Sequence, residues 1–256
     1  DIILWLTWTC VERNLDTLFA TYEKWGVAGT KIDFMDRQDQ WMINWYERTI
    51  KEAAKHHIIV DFHGAMKPAG LEHRYPNLLA YEGVLGLEQM GGCRPDNTLY
   101  IPFLRNAVGA VDFTPGAMIN TQPEYDKWSA PNCSAIGTRA YSMALFTIME
   151  TGTQMLADSP TQYYKNPDCT NFLTQIPVTW DETRALQASI GEYLIVAKRN
   201  GKKWFVAGIC NGKEQERSFN IPLDFLGDGS HKMTLVSDGF NAGWQAMDYV
   251  IETKDV

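Results

Sequence analysis

The stretch Gly29-Thr30-Lys31-Ile32-Asp33-Phe34-Met35-Asp36-Arg37 joins a short apolar strand to a run of charges. Alternate side chains of an extended strand face opposite ways, so Lys31 and Asp33 share one face and Ile32 takes the other. A lysine beside a carboxylate at a strand end suits a carboxylate kept ionised, as a nucleophile requires. It equally suits an ion pair that only closes a packing layer. Similar apolar runs lie at residues 2–6, 30–34, 58–62, 78–81, 110–113 and 154–157, and their starts are 20 to 44 residues apart. That is the rhythm of βα units building a parallel sheet.

Helical patterns fill the gaps. Leu15, Leu18, Phe19, Tyr22 and Trp25 recur at helical spacing until Gly26 ends the pattern. Trp41, Met42, Trp45, Tyr46, Thr49, Ile50 and Ala53 do the same before the basic cluster Lys55-His56-His57, which suits a helix C-terminus. Polar residues gather where the strands should finish: Asp33 and Asp36, Asp61 and His63, Glu82 and Glu88, Asp112 and Thr114, and Asp158. Active sites of β/α barrels form at that end of the strands, which favours a barrel over an open sheet. Six of eight strands are in view, so the first two are expected before residue 1. From about residue 179 the pattern becomes short alternating segments at 194–197, 203–209, 217–221 and 233–236, with turn signals Asn200-Gly201 and Asn211-Gly212. The expected fold is therefore α/β: a partial (β/α)8 TIM barrel over 1–178, holding about strands three to eight, then an antiparallel β-sandwich domain over 179–256. The last residues still read as strand. A barrel lacking two strands would expose open sheet edges, so this stretch alone is not expected to fold as a monomer.

Composition narrows the function. The formal net charge of −8 argues against nucleic acid, whose phosphates need a basic surface. No run approaches the roughly 18 apolar residues of a membrane span. The five cysteines, Cys10, Cys93, Cys133, Cys169 and Cys210, form no CxxC pair and suggest neither a zinc site nor a disulfide framework. The Gly-rich phosphate loops and the GxSxG elbow are both missing.

Two further segments carry chemistry. Asp61 and His63 share a strand face, which fits a metal pair, a substrate-binding pair, or a buried histidine bonded to aspartate. Glu82 and Glu88 lie in a Gly-containing loop after a strand, where carboxylates serve as a general acid, as ligands to a hard cation, or as solvated loop acids. Two carboxylates facing one pocket is the arrangement for cleaving a glycoside. Trp5, Trp8, Phe34, Phe62, Tyr81 and Phe113 near strand ends are either faces on which sugar rings stack or, as aromatics more often are, core.

With these segments in hand, the chain resembles glycoside hydrolase family 97. The likeness rests on KIDFMDRQDQ (31–40), VDFHGAMKPAGLEHRYPN (60–77), YEGVLGLEQM (81–90) and AVDFTPGAM (110–118), with Thr179-Trp180-Asp181-Glu182 at the junction. It implies an N-terminal β-sandwich, a catalytic barrel and a C-terminal β-domain, of which this chain would hold the later part and would need the earlier. It implies Asp33, in the string Lys31-Ile32-Asp33, as the nucleophile of a retaining enzyme, and Glu88 as acid and then base. Inverting α-glucosidases of the family carry a base glutamate directly after the histidine that here is His63, and this chain has Gly64 there. The implied activity is a retaining α-galactosidase acting on a galactoside or oligosaccharide. The alternatives are an inverting α-glucosidase, a β-L-arabinopyranosidase, a sugar-binding module without catalysis, and a zinc hydrolase built on Asp61 and His63. Lys31, Asp61 and His63 are the expected substrate contacts. Family members bind calcium beside the acid, and Glu82 and Glu88 match two of its ligands. Another ligand falls at the Gly64 position and a further one in the N-terminal domain. The resemblance also implies a periplasmic or secreted protein.

Overall fold

The computed structural model describes residues 1–89, 94–125, 134–213 and 217–256; Met90, Cys93 and Cys133 lie outside them. The chain forms two compact units. The first comprises Asp1–Leu85, Leu104–Phe113 and Glu150–Gln154, and the second Gly86–Phe103, Thr114–Met149 and Met155–Val256.

The first unit is a parallel sheet in the order β1 (Ile3–Thr7), β2 (Gly29–Asp33), β3 (Ile59–Phe62) and β4 (Leu78–Tyr81). Helices α1 (Trp8–Trp25) and α2 (Gln40–Lys55) make the first two crossovers. α1 ends at Gly26, whose φ of 73° gives the left-handed turn that lets Val27 N–H bond back to the Tyr22 carbonyl. α2 starts where the Asp39 carboxylate accepts the Met42 N–H at 3.0 Å, a cap of about 1 kcal/mol. Period-2 alternation decides what each strand residue does. Leu6, Ile32, Val60, Phe62 and Tyr81 join Phe19, Met42, Trp45, Tyr46 and Ile50 in one core. Each such side chain contributes about 1.5–3 kcal/mol by burial. Tyr46, Phe62 and Tyr81 are locked ring to ring, with centroids 4.6 to 5.5 Å apart. The residues between them are left for the opposite face. Trp5, Lys31 and Asp61 stand in register across β1, β2 and β3, and Thr7 pairs with Asp33.

The first four expected strands are present, with ends shifted by at most one residue. The fifth, at 110–113, reduces to a single bridge between Val111 and Tyr81. Its backbone is spent elsewhere: the buried Arg105 guanidinium takes the carbonyls of Tyr81, Glu82, Gly109 and Ala110, and Val111 N–H bonds Glu150 O. The sixth, at 154–157, has no strand, and Leu156 is exposed.

The second unit holds the antiparallel part. β7 (Glu182–Ser189), β8 (Tyr193–Asn200) and β9 (Lys203–Cys210) form one sheet, and β10 (Lys232–Asp238) pairs with β11 (Tyr249–Asp255). A two-residue parallel contact, β5 (Asn120–Thr121) with β6 (Ala135–Ile136), precedes them. Gly201, at φ 58°, supplies the tight turn between β8 and β9 that Asn200-Gly201 predicts. The expected strand at 217–221 is not formed, and β7 was read only as a junction because its apolar residues are few.

Candidate active site

Asp33 ends β2 and is 5% exposed. Its Oδ2 accepts the Trp5 indole N–H at 3.0 Å, and its Oδ1 accepts the Phe34 backbone N–H at 2.6 Å. The chain then turns sharply, with Phe34 at φ 65° and Asp36 at φ 47°. Such conformations are rare for residues with side chains, and they cluster where a site needs them. Gly64 closes this corner. It has φ 56°, and a Cβ there would lie 2.8 Å from Asp33 Oδ1 and 2.8 Å from Phe34 N. Any side chain at 64 would collide with the carboxylate and with the turn that holds it.

The sequence pairs Lys31 with Asp33 on one face, but the ion pair forms elsewhere. Lys31 Nζ lies 2.7 Å from Asp112 Oδ2, because a lysine reaches across strands to a fully buried partner more easily than along its own. His63 Nδ1 lies 2.7 Å from the same oxygen, and its Nε2 is 3.4 Å from Glu82 Oε1. Glu82 also accepts the Gly64 N–H at 2.8 Å. Asp112 is thus the hub of a buried polar row. Hydrogen bonds to a charged group are worth about 1.5–3 kcal/mol each, and leaving that charge unpartnered would cost more.

Asp61 lies beside the hub and is 1% exposed, with both oxygens sealed and no donor directed at them. Burial pushes its carboxyl far above the ordinary range, and the negative charge of Asp112 adds to this. Burial would raise Asp112 too, but the His63 hydrogen bond and the Lys31 charge outweigh it and hold Asp112 low. The two carboxyls are therefore pushed in opposite directions, Asp61 toward its neutral form and Asp112 toward its charged form. Of the three expected substrate contacts, Lys31 and His63 keep some exposure, whereas Asp61 reaches no solvent.

Glu88 belongs to the second unit, in the short turn Leu87–Gln89, where Leu87 N–H bonds the Thr114 carbonyl.

The family model described as glycoside hydrolase 97 matches residues 1–84, and that described as glycosyl-hydrolase 97 C-terminal, oligomerisation, matches 179–256. The chain belongs to glycoside hydrolase family 97. It is 40% identical over 259 residues to a retaining alpha-galactosidase of Bacteroides thetaiotaomicron, covering 98% of this chain and 38% of that protein. It is 36% identical over 234 residues to a probable retaining alpha-galactosidase of Streptomyces bingchenggensis, covering 89% and 35%. A solved family 97 enzyme from Pseudoalteromonas sp. strain K8, in complex with panose, superposes with a TM-score of 0.83 at 26% identity, over 99% of this chain and 43% of that one. The chain thus spans less than half the length of each of these proteins.

Calcium takes six to eight oxygens. Within the first unit Glu82 offers one carboxylate, already bonded to Gly64 N–H and near His63, and position 64 offers no side chain. That unit alone does not make a calcium cage. Sequence reasoning noted Asp112 only as a polar strand end. The signal was there: Val-Asp-Phe occurs at 60–62 and again at 111–113, and the aspartate is buried in both.

Proposed function

We propose that this chain is the later part of a retaining α-galactosidase that works through a covalent intermediate on Asp33. The observation that carries the reading is the corner at Gly64. An inverting enzyme of the family needs a glutamate there, and no side chain fits against Asp33 and Phe34. Asp33, held by two N–H groups with its carboxylate at the strand end, suits attack on an anomeric carbon. By its match to the family, Glu88 protonates the leaving oxygen and then takes a proton from the incoming water. Lys31 and His63 are the substrate contacts, both fixed by Asp112.

The architecture that goes with this reading is a (β/α)8 barrel, of which the four-stranded sheet is one part, followed by a β-sandwich. Calcium would use Glu82 and Glu88 among its ligands; activity lost to a chelator and restored by calcium supports this, and undiminished activity contradicts it. A periplasmic or secreted location follows from the family likeness and is tested by fractionating the source cells.

The deciding assay compares p-nitrophenyl α-galactoside, α-glucoside and β-L-arabinopyranoside on the intact protein and its Asp33→Ala variant. Galactoside hydrolysis that disappears in the variant and returns with azide, giving the β-galactosyl azide, is the expected result. Turnover of the glucoside alone, or an undiminished variant, overturns it. Galactose binding without cleavage would point to a sugar-binding module.

A further inference from the structure

Trp5 is not explained by the core. It is 53% exposed, on the face of β1 opposite Leu4 and Leu6, which pack toward the helices. Its one polar atom is nonetheless committed: the indole N–H reaches Asp33 Oδ2 at 3.0 Å. An indole can only donate, so the direction of this bond is fixed. The ring meets Phe34 edge to face, centroids 5.8 Å apart and planes at 83°. Phe34 in turn supplies the N–H on Asp33 Oδ1. The carboxylate is therefore clamped at both oxygens, once by the backbone and once by Trp5.

We propose that Trp5 is a positioning residue for Asp33 and that its N–H governs breakdown of the glycosyl-enzyme more than its formation. The proposal rests on Asp33 being the nucleophile. In the first half-reaction an Asp33 oxygen bonds the anomeric carbon, the bond to the leaving oxygen breaks, and the acid's proton goes to that oxygen. Asp33 loses its negative charge in this step. In the second half-reaction water bonds the anomeric carbon and gives its proton to the base. The bond to Asp33 breaks, and its electron pair returns to the carboxylate. A donor aimed at Asp33 is strongest toward the charged form. It therefore makes Asp33 a better leaving group in the second step, where charge returns, and slightly restrains it in the first.

The test is Trp5→Phe in the intact protein, followed with p-nitrophenyl α-galactoside. It keeps the ring against Phe34 and removes the donor. The expected result is a fall in kcat of about tenfold with KM falling in parallel, so that kcat/KM is unchanged or slightly raised. A pre-steady-state burst of p-nitrophenol accompanies it. A structural role would instead lower kcat/KM as much as kcat, with no burst, and that outcome overturns the proposal, as does a variant identical to the parent. Trp5→Leu also lacks the donor and is judged by the same criterion, so misfolding of one variant does not shield the idea. Asp33→Ala separates the two readings. If it is fully active, the nucleophile assignment fails and Trp5 with it. If it is inactive and rescued by azide while Trp5→Phe shows no split, only the role of Trp5 falls.

Discussion

Both units bury charge, and they handle it differently. In the first unit a buried charge is met by a cation and by titratable neighbours: Lys31 and His63 converge on Asp112, with Asp61 and Glu82 nearby. In the second unit buried cations reach backbone carbonyls, side-chain amides and rings. Lys198 donates to the carbonyls of Ile148 and Met149 at the end of the helix Arg139–Ile148 and lies over the Trp180 ring. Arg139 bonds the Asn120 and Asn166 side chains and the Met118 carbonyl. A cation at a helix C-terminus complements the helix dipole. A coupled set of acids and bases stays responsive to protons and ligands.

The largest effect is expected at the hub. Asp112→Ala leaves Lys31 and His63 without their shared acceptor, at about 3–5 kcal/mol of stability. A variant melting like the parent would show that the charge cluster is not coupled as described. Gly64→Ala comes next, since its Cβ would displace the Asp33 carboxylate. About a hundredfold loss of kcat/KM is expected, the scale of a 1 Å misplacement, and retained activity would remove the main support for a retaining enzyme. Lys198→Met sharpens the contrast from the other side. It should shift stability by only about 1–2 kcal/mol, because relief of the buried cation offsets its lost contacts, and activity per folded molecule should not change.

The smallest effect concerns Asp61. Its folded pKa is raised, so its contribution to stability is complete below the unfolded value of about 3.9 and is lost as pH rises toward the folded value. Asp61→Asn removes that loss. Melting temperatures of variant and parent should therefore agree near about pH 4 and diverge, variant higher, as the pH rises from there. A gap independent of pH would mean Asp61 is not the protonated partner.

Much of the first unit was legible because period-2 and period-3.6 patterns survive in it. β4 was read to the residue, and β2 and β3 to within one. Legibility failed where the backbone was claimed by a side chain from far away, as Arg105 does at 110–113. In the site, strand alternation placed Lys31 with Asp33 and Asp61 with His63 on common faces. It could not show that Lys31 reaches Asp112, 81 residues on in the chain but 2.7 Å away in space. Trp5 was hidden for the opposite reason: a tryptophan in an apolar run looks like core, and only its exposure and its bond to Asp33 set it apart.

The most direct measurement is to trap the intermediate on the intact protein with a fluorinated galactosyl fluoride, then map the label by peptide mass spectrometry. The account predicts one galactosyl group, on the peptide containing Asp33, and none in Asp33→Ala. A label on another carboxylate, or an unlabelled enzyme that releases the inverted sugar, would contradict it.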